Sequence, residues 1–160
     1  MNRLERLAPV SPPQPVSASD VDAAEAAIGG PFPNGYRAFM LRFGRGLLGG
    51  LVRIYTPAAI MEGPQSFSEW RMRIDEYWFW DASAALLPKS RALECVVIGD
   101  TIGGDELALH PSEPDRIFVF AHDFDQIYPA STTGLEAAID WFFTSGMLDE
   151  AFEDDSFEPY

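Results

Sequence analysis

Between residues 93 and 131 four β-patterned runs follow one another almost without pause: "LECVVIGD", "DELALHP", "DRIFVFAHD" and the shorter "DQIYPAS". A parallel crossover needs about a dozen residues or more, and the gaps here are much shorter, so these runs must pair antiparallel. The first gap, "TIGG", places Gly103 and Gly104 at a bend flanked by Asp100 and Asp105. With Glu106 and His110 close behind, the same stretch offers a metal-like or phosphate-like cluster beside the hairpin. The hairpin accounts for all of it: glycines for the turn, aspartates as polar residues at its base.

Helical periodicity brackets this meander. Ser19 offers an N-cap three residues before Asp22, and Val21, Ala24 and Ile28 follow at helical spacing until Gly29 and Gly30. Tyr36, Phe39, Met40 and Phe43 recur at i, i+3, i+4 and i+7, which sets an aromatic face on a second helix ending at Gly44. "LVRIYTP" (51–57) reads as a strand stopped by Pro57. "SFSEWRMRIDEYWFW" (66–80) reads as a helix with Phe67, Trp70, Ile74, Tyr77 and Trp78 in register, and with Arg71 and Asp75 set to pair across one turn. Thr133 and Glu136 form a capping box for a last helix through Ser145, with Leu135, Ala138, Ile139, Phe142 and Phe143 inward and Gly146 as its stop.

Helices gathered against an antiparallel sheet of about four to six strands make an α+β domain. It is expected over residues 19–148, between a Pro-rich arm (1–18) that lies loose or draped and an acidic tail (149–160) that frays with incidental aromatics. Apolar residues make up 47% of the chain, enough for a core without crosslinks. No apolar run approaches the roughly 18 residues of a membrane span, and the start lacks a signal-peptide core. The lone Cys95 sits in a strand pattern as a buried, inert thiol, which suits a cytoplasmic protein.

The net charge is −14, and six of the acids fall in the last twelve residues; without them the rest still carries −8. Such a field disfavours nucleic acid and anionic membranes and speeds encounter with basic partners, unless it serves solubility alone. The chemical motifs are incomplete. Gly44, Gly46 and Gly49 spell G-x-G-x-x-G, but a helix precedes them and a strand follows, the reverse of a dinucleotide site, so they belong to a sharp connection. His122, Asp123 and Asp125, even with His110 and Glu113, match neither zinc nor calcium spacing. Cys95 lies mid-strand, no G-x-S-x-G elbow occurs, and Asp105 and Glu106 alternate in direction along a strand. No catalytic, cofactor-binding or metal-binding residue is assigned.

The order of features resembles the SMI1/KNR4 family (SUKH superfamily). "DVDAAEAAIGGPFPNGYRAFMLRFGRG" is similar to the family's opening, where a helix bearing a Glu (here Glu25) leads to P-x-x-Y-x-x-F (here Pro33, Tyr36 and Phe39). "VVIGDTIGGDELALHP" is similar to its strand–turn–strand hairpin, and "DRIFVFAHD" and "AIDWFF" complete the order. "FGRG" departs from the Asn-Gly turn usual in the family. The resemblance implies an α+β fold, a binding role without cofactor, and no catalytic residue to transfer. Many bacterial members are immunity proteins that bind a polymorphic toxin, often a nuclease; fungal relatives are regulatory interaction proteins.

The expected partner is therefore a basic toxin domain, bound without direct contact to nucleic acid or membrane, and the oligomeric state stays open. Candidate contacts are Asp100, Asp105 and Glu106 at the hairpin, Asp123 and Asp125 at the next turn, and Trp80 as an anchor at the end of the aromatic helix. Two alternatives stand beside this: a regulatory scaffold domain without a toxin, and a small metal-dependent enzyme using His110 and His122.

Overall fold

The computed structural model describes residues 3–76, 83–148 and 154–160. Its elements are α1 (Arg3–Arg6), β1 (Ala8–Pro9), α2 (Ala18–Ile28), α3 (Tyr36–Arg42), β2 (Gly46–Leu48), β3 (Val52–Ile54), α4 (Pro57–Met61), α5 (Phe67–Ile74) and α6 (Lys89–Ala92), then β4 (Val96–Thr101), β5 (Glu106–Leu109), β6 (Ile117–Ala121), β7 (Gln126–Ser131), α7 (Leu135–Thr144) and β8 (Ser156–Pro159). Among the described residues eight strands form one sheet in the order β1-β8-β2-β3-β4-β5-β6-β7. All neighbours are antiparallel except β1 and β8. The fold is α+β as expected, with more strands than expected and one parallel pair.

The register sorts the helices onto two faces. Leu47, Arg53, Asp100, Glu106 and Phe120 oppose one another in turn across β2 to β6, so they share a face. Trp70 of α5 covers that face, its ring meeting Phe120 edge-on at 5.2 Å. On the other face Phe157 of β8 packs against Phe39 and Phe43 of α3, and Tyr128 of β7 packs against Trp141 of α7. Phe120, Val119 and Leu107 are each at most 2% exposed, which places the core on both sides of the central strands.

Local rules explain most element ends. Ser17, not Ser19, caps α2: its Oγ accepts from the Asp20 amide, and Gly29 closes the helix in the left-handed conformation at φ 83°. The Glu25 carboxylate accepts the Phe32 amide and so shapes the turn towards α3. Tyr36 is buried, and its hydroxyl donates to the Tyr55 carbonyl. Pro57 ends the strand as expected and also begins α4, capped by Thr56. Arg71 does not pair with Asp75; it donates to the Glu94 and Cys95 carbonyls, and Asp75 pairs with Lys89. The capping box at Thr133 does not form either. Gly134 takes the cap position, Ser131 Oγ accepts the Thr133 and Gly134 amides, and Glu136 accepts the Arg3 amide.

The arm and the end of the tail carry sheet structure. β8 lies between β1 and β2, and Phe157 is fully buried, so the expected fraying does not extend to this strand. Arg3 ties the two segments together, reaching Asp140 and Asp155 with its guanidinium stacked on Phe143.

Candidate functional site

The β4–β5 turn is built around Asp105. Its Oδ2 accepts the Thr101 hydroxyl, its amide donates to Thr101 Oγ1, and its Oδ1 accepts the His122 amide from the turn after β6. Gly104, at φ 96°, supplies the left-handed step that this tight turn requires. One carboxylate therefore holds two neighbouring turns in register. Together they present Ile102, which is 59% exposed, and Phe124, which is 38% exposed, beside the exposed Asp123 and Asp125. Asp125 adopts the left-handed conformation at φ 50°, which Asp tolerates better than most residues and which turns the chain into β7.

Asp100 and Glu106 stand directly opposite each other on β4 and β5, and each is matched by an arginine. Arg53 grips Asp100 with two hydrogen bonds of 2.6 Å, and Arg73 of α5 pairs with Glu106. Glu106 also accepts the buried Trp70 indole N–H at 2.8 Å. Two like charges facing each other across a ladder repel, so the two guanidiniums are what make the arrangement stable. Burial, reinforced by the nearby Asp100 charge and a hydrogen bond with Asp100, raises the Tyr55 phenol well above its ordinary range. Gly99 admits β3 closely: a Cβ there would lie 2.5 Å from the Arg53 carbonyl oxygen.

The six candidate contacts thus divide. Asp105, Asp123 and Asp125 meet at one end of the sheet, while Asp100 and Glu106 belong to paired networks on the face below α5. Trp80 lies outside the described residues, as do Tyr77 and Trp78. The sequence reading passed over Ile102 and Phe124. For Ile102 the signal was available, because a large apolar residue inside a short glycine turn has no strand face on which to hide.

The two histidines do not converge. His110 follows β5 and is bound by Glu94 and Ser112, whereas His122 lies beside Asp105 before β5 begins. Strand rise separates them by about 15 Å. Among the described residues no group of three or more His, Cys, Asp or Glu side chains is placed to hold a metal ion. No helix among them is long and apolar enough to cross a membrane.

On the flank of the sheet a cleft of about 670 Å³ opens between the arm, α2 and α4, and meets a second of about 320 Å³ beside β3. Arg45, Thr56, Ala58 and Glu62 line both.

A strand meander behind two helices, with its hairpin held by an Asp, is the arrangement that the order of motifs anticipates. The model of the SMI1/KNR4 family (SUKH-1) matches residues 15–133, most of the chain. The chain belongs to the SMI1/KNR4 family. The match runs from the arm to the start of α7 and includes both turns held by Asp105. No curated protein and no solved structure matches the chain.

Proposed function

We propose that this SMI1/KNR4-family protein is a non-catalytic immunity protein that works in the cytoplasm, binding a cognate toxin with a basic surface, such as a nuclease domain, and covering its active site. The observation that carries this reading is the end of the sheet where Asp105 fixes two turns. There Ile102 and Phe124 offer apolar contact within a carboxylate field. Exposed apolar side chains of this size suit the centre of an interface, and the carboxylates around them suit the Lys and Arg that grip phosphate in a nuclease. Asp123 and Asp125 serve as contacts that steer encounter, and Asp105 as the residue that positions them. Asp100 and Glu106 support the same end of the sheet from within. Trp80 joins the surface as an anchor.

The test is co-expression with the toxin-like protein encoded beside this one, followed by association kinetics. Growth rescue and a complex that survives purification are expected. Asp123→Lys with Asp125→Asn should slow association about tenfold at low salt, and the difference should shrink at high salt. Failure of rescue together with absence of a complex removes the immunity reading for that pair. A complex whose association rate ignores both substitutions moves the contact surface elsewhere. A toxin-free neighbourhood with a stable regulatory partner would favour the scaffold alternative.

A further inference from the structure

Arg45 differs from every other cation of the chain. Among the described residues each of the other Lys and Arg side chains pairs with a carboxylate or donates to a backbone carbonyl. Arg45 does neither: its guanidinium lies over the Tyr160 ring, 4.7 Å from the centroid. In a chain with 25 carboxylates and 11 cations, an exposed arginine without one is a marked exception. Stacking on an aromatic face orients a guanidinium and leaves its in-plane N–H donors free for an incoming acceptor.

The surroundings narrow what that acceptor is. Arg45 sits where the two clefts meet, and Pro15, Val16, Ala23, Pro57 and Met61 make the larger one mainly apolar. Glu62 lines the same junction and, like Arg45, has no ion pair among the described residues. A dianionic phosphate placed there meets repulsion from Glu62. A single carboxylate on an otherwise apolar chain meets less, and Glu62 can accept a backbone N–H from the same chain. Two clefts joined end to end suit an extended segment better than a compact ligand.

We infer that the groove between the arm, α2, α4 and β3 binds an extended, largely apolar peptide segment of a partner protein through one Asp or Glu side chain held by Arg45. The groove lies at the Tyr55 end of β3, away from the end where Val52 faces Thr101 beneath the Asp105 turn, so this inference stands apart from the toxin reading.

The test uses the full chain and degenerate peptide pools with one fixed central position: Asp or Glu, Asn or Gln, or phosphoserine. The acidic pools should be retained about tenfold more than the amide pools, the ratio expected for one charge-assisted contact. Arg45→Gln should remove that preference. Ala58→Glu, an exposed position on α4 that lines both clefts, should remove it as well, by adding a carboxylate at the junction. Thermal melts of both variants check that the fold persists. Equal retention of acidic and amide pools, an acidic preference unchanged by Arg45→Gln, or stronger retention of the phosphoserine pool would each overturn the inference.

Discussion

Phe157→Ala is the substitution that most directly asks whether the last strand belongs to the fold. Its ring is fully buried, 4.9 Å from Phe43 and 5.8 Å from Phe39 between centroids, and it rests against Gly46 of β2. A buried aromatic side chain removes about 150–250 Å² from water. At about 25 cal/mol per Å² that is about 4–6 kcal/mol, an upper value because unfolded chains bury some of it already. Phe→Ala changes in cores cost about 3–5 kcal/mol, and that is the expectation here. For a chain of this size each kcal/mol moves Tm by about 2–4 °C, so the melt should fall by about 6–20 °C. Urea unfolding should show a lower midpoint at an unchanged m value. Phe124→Ala, at an exposed turn position, serves as the control and should stay within about 0.5 kcal/mol of the parent. If Phe157→Ala also stays within about 1 kcal/mol, the strand does not carry the packing argued for it.

Ser17→Ala should cost about 1 kcal/mol by removing the α2 cap while Ser19→Ala costs much less, and a thermal melt separates the two. The Cys95 thiol is pushed up to about 12 by burial, so a colourless-to-yellow thiol reagent should react with it only after denaturant is added; rapid reaction in the native state refutes the burial. The Tyr55 phenol has a raised folded pKa, so its contribution to stability is fully present below about pH 10 and is lost as pH climbs towards the folded value. Alkaline unfolding followed by circular dichroism should therefore begin at higher pH in Tyr55→Phe than in the parent, and identical curves would assign the alkaline limb to other groups.

The meander from β4 to β7 was legible because its apolar runs are long and its gaps too short for any other pairing. The same was true of α3, whose aromatic spacing leaves one buried face. β2 was hidden: three residues between glycines carry no alternation, so "GRGLLGG" reads as a connection although Leu48 is fully buried. β8 was hidden by composition, since acids around Phe157 resemble a solvated end until β1 and β2 are known to flank it. The candidate site was read correctly by location more than by role. Charge marked Asp100 and Glu106 as surface groups, and no local pattern announces that Arg53 and Arg73, about 50 and 30 positions away in the chain, neutralise them. The same limit explains Arg71 and Asp75, which satisfy helical spacing yet find partners in other segments.

The placement of β8 also sets an order of events during synthesis. β1 leaves the ribosome among the first residues, and the strand beside it arrives among the last: Ala8 faces Ser156. Until then the arm has no strand to join, and the β2 edge that β8 will cover stands open to any extended chain nearby. Closing so long a span costs only slightly more entropy than closing a shorter one, but it delays the reward until translation is nearly complete. Nascent chains of this protein should therefore hold a folded meander and an unfinished margin, with Phe157 as the side chain that seals it.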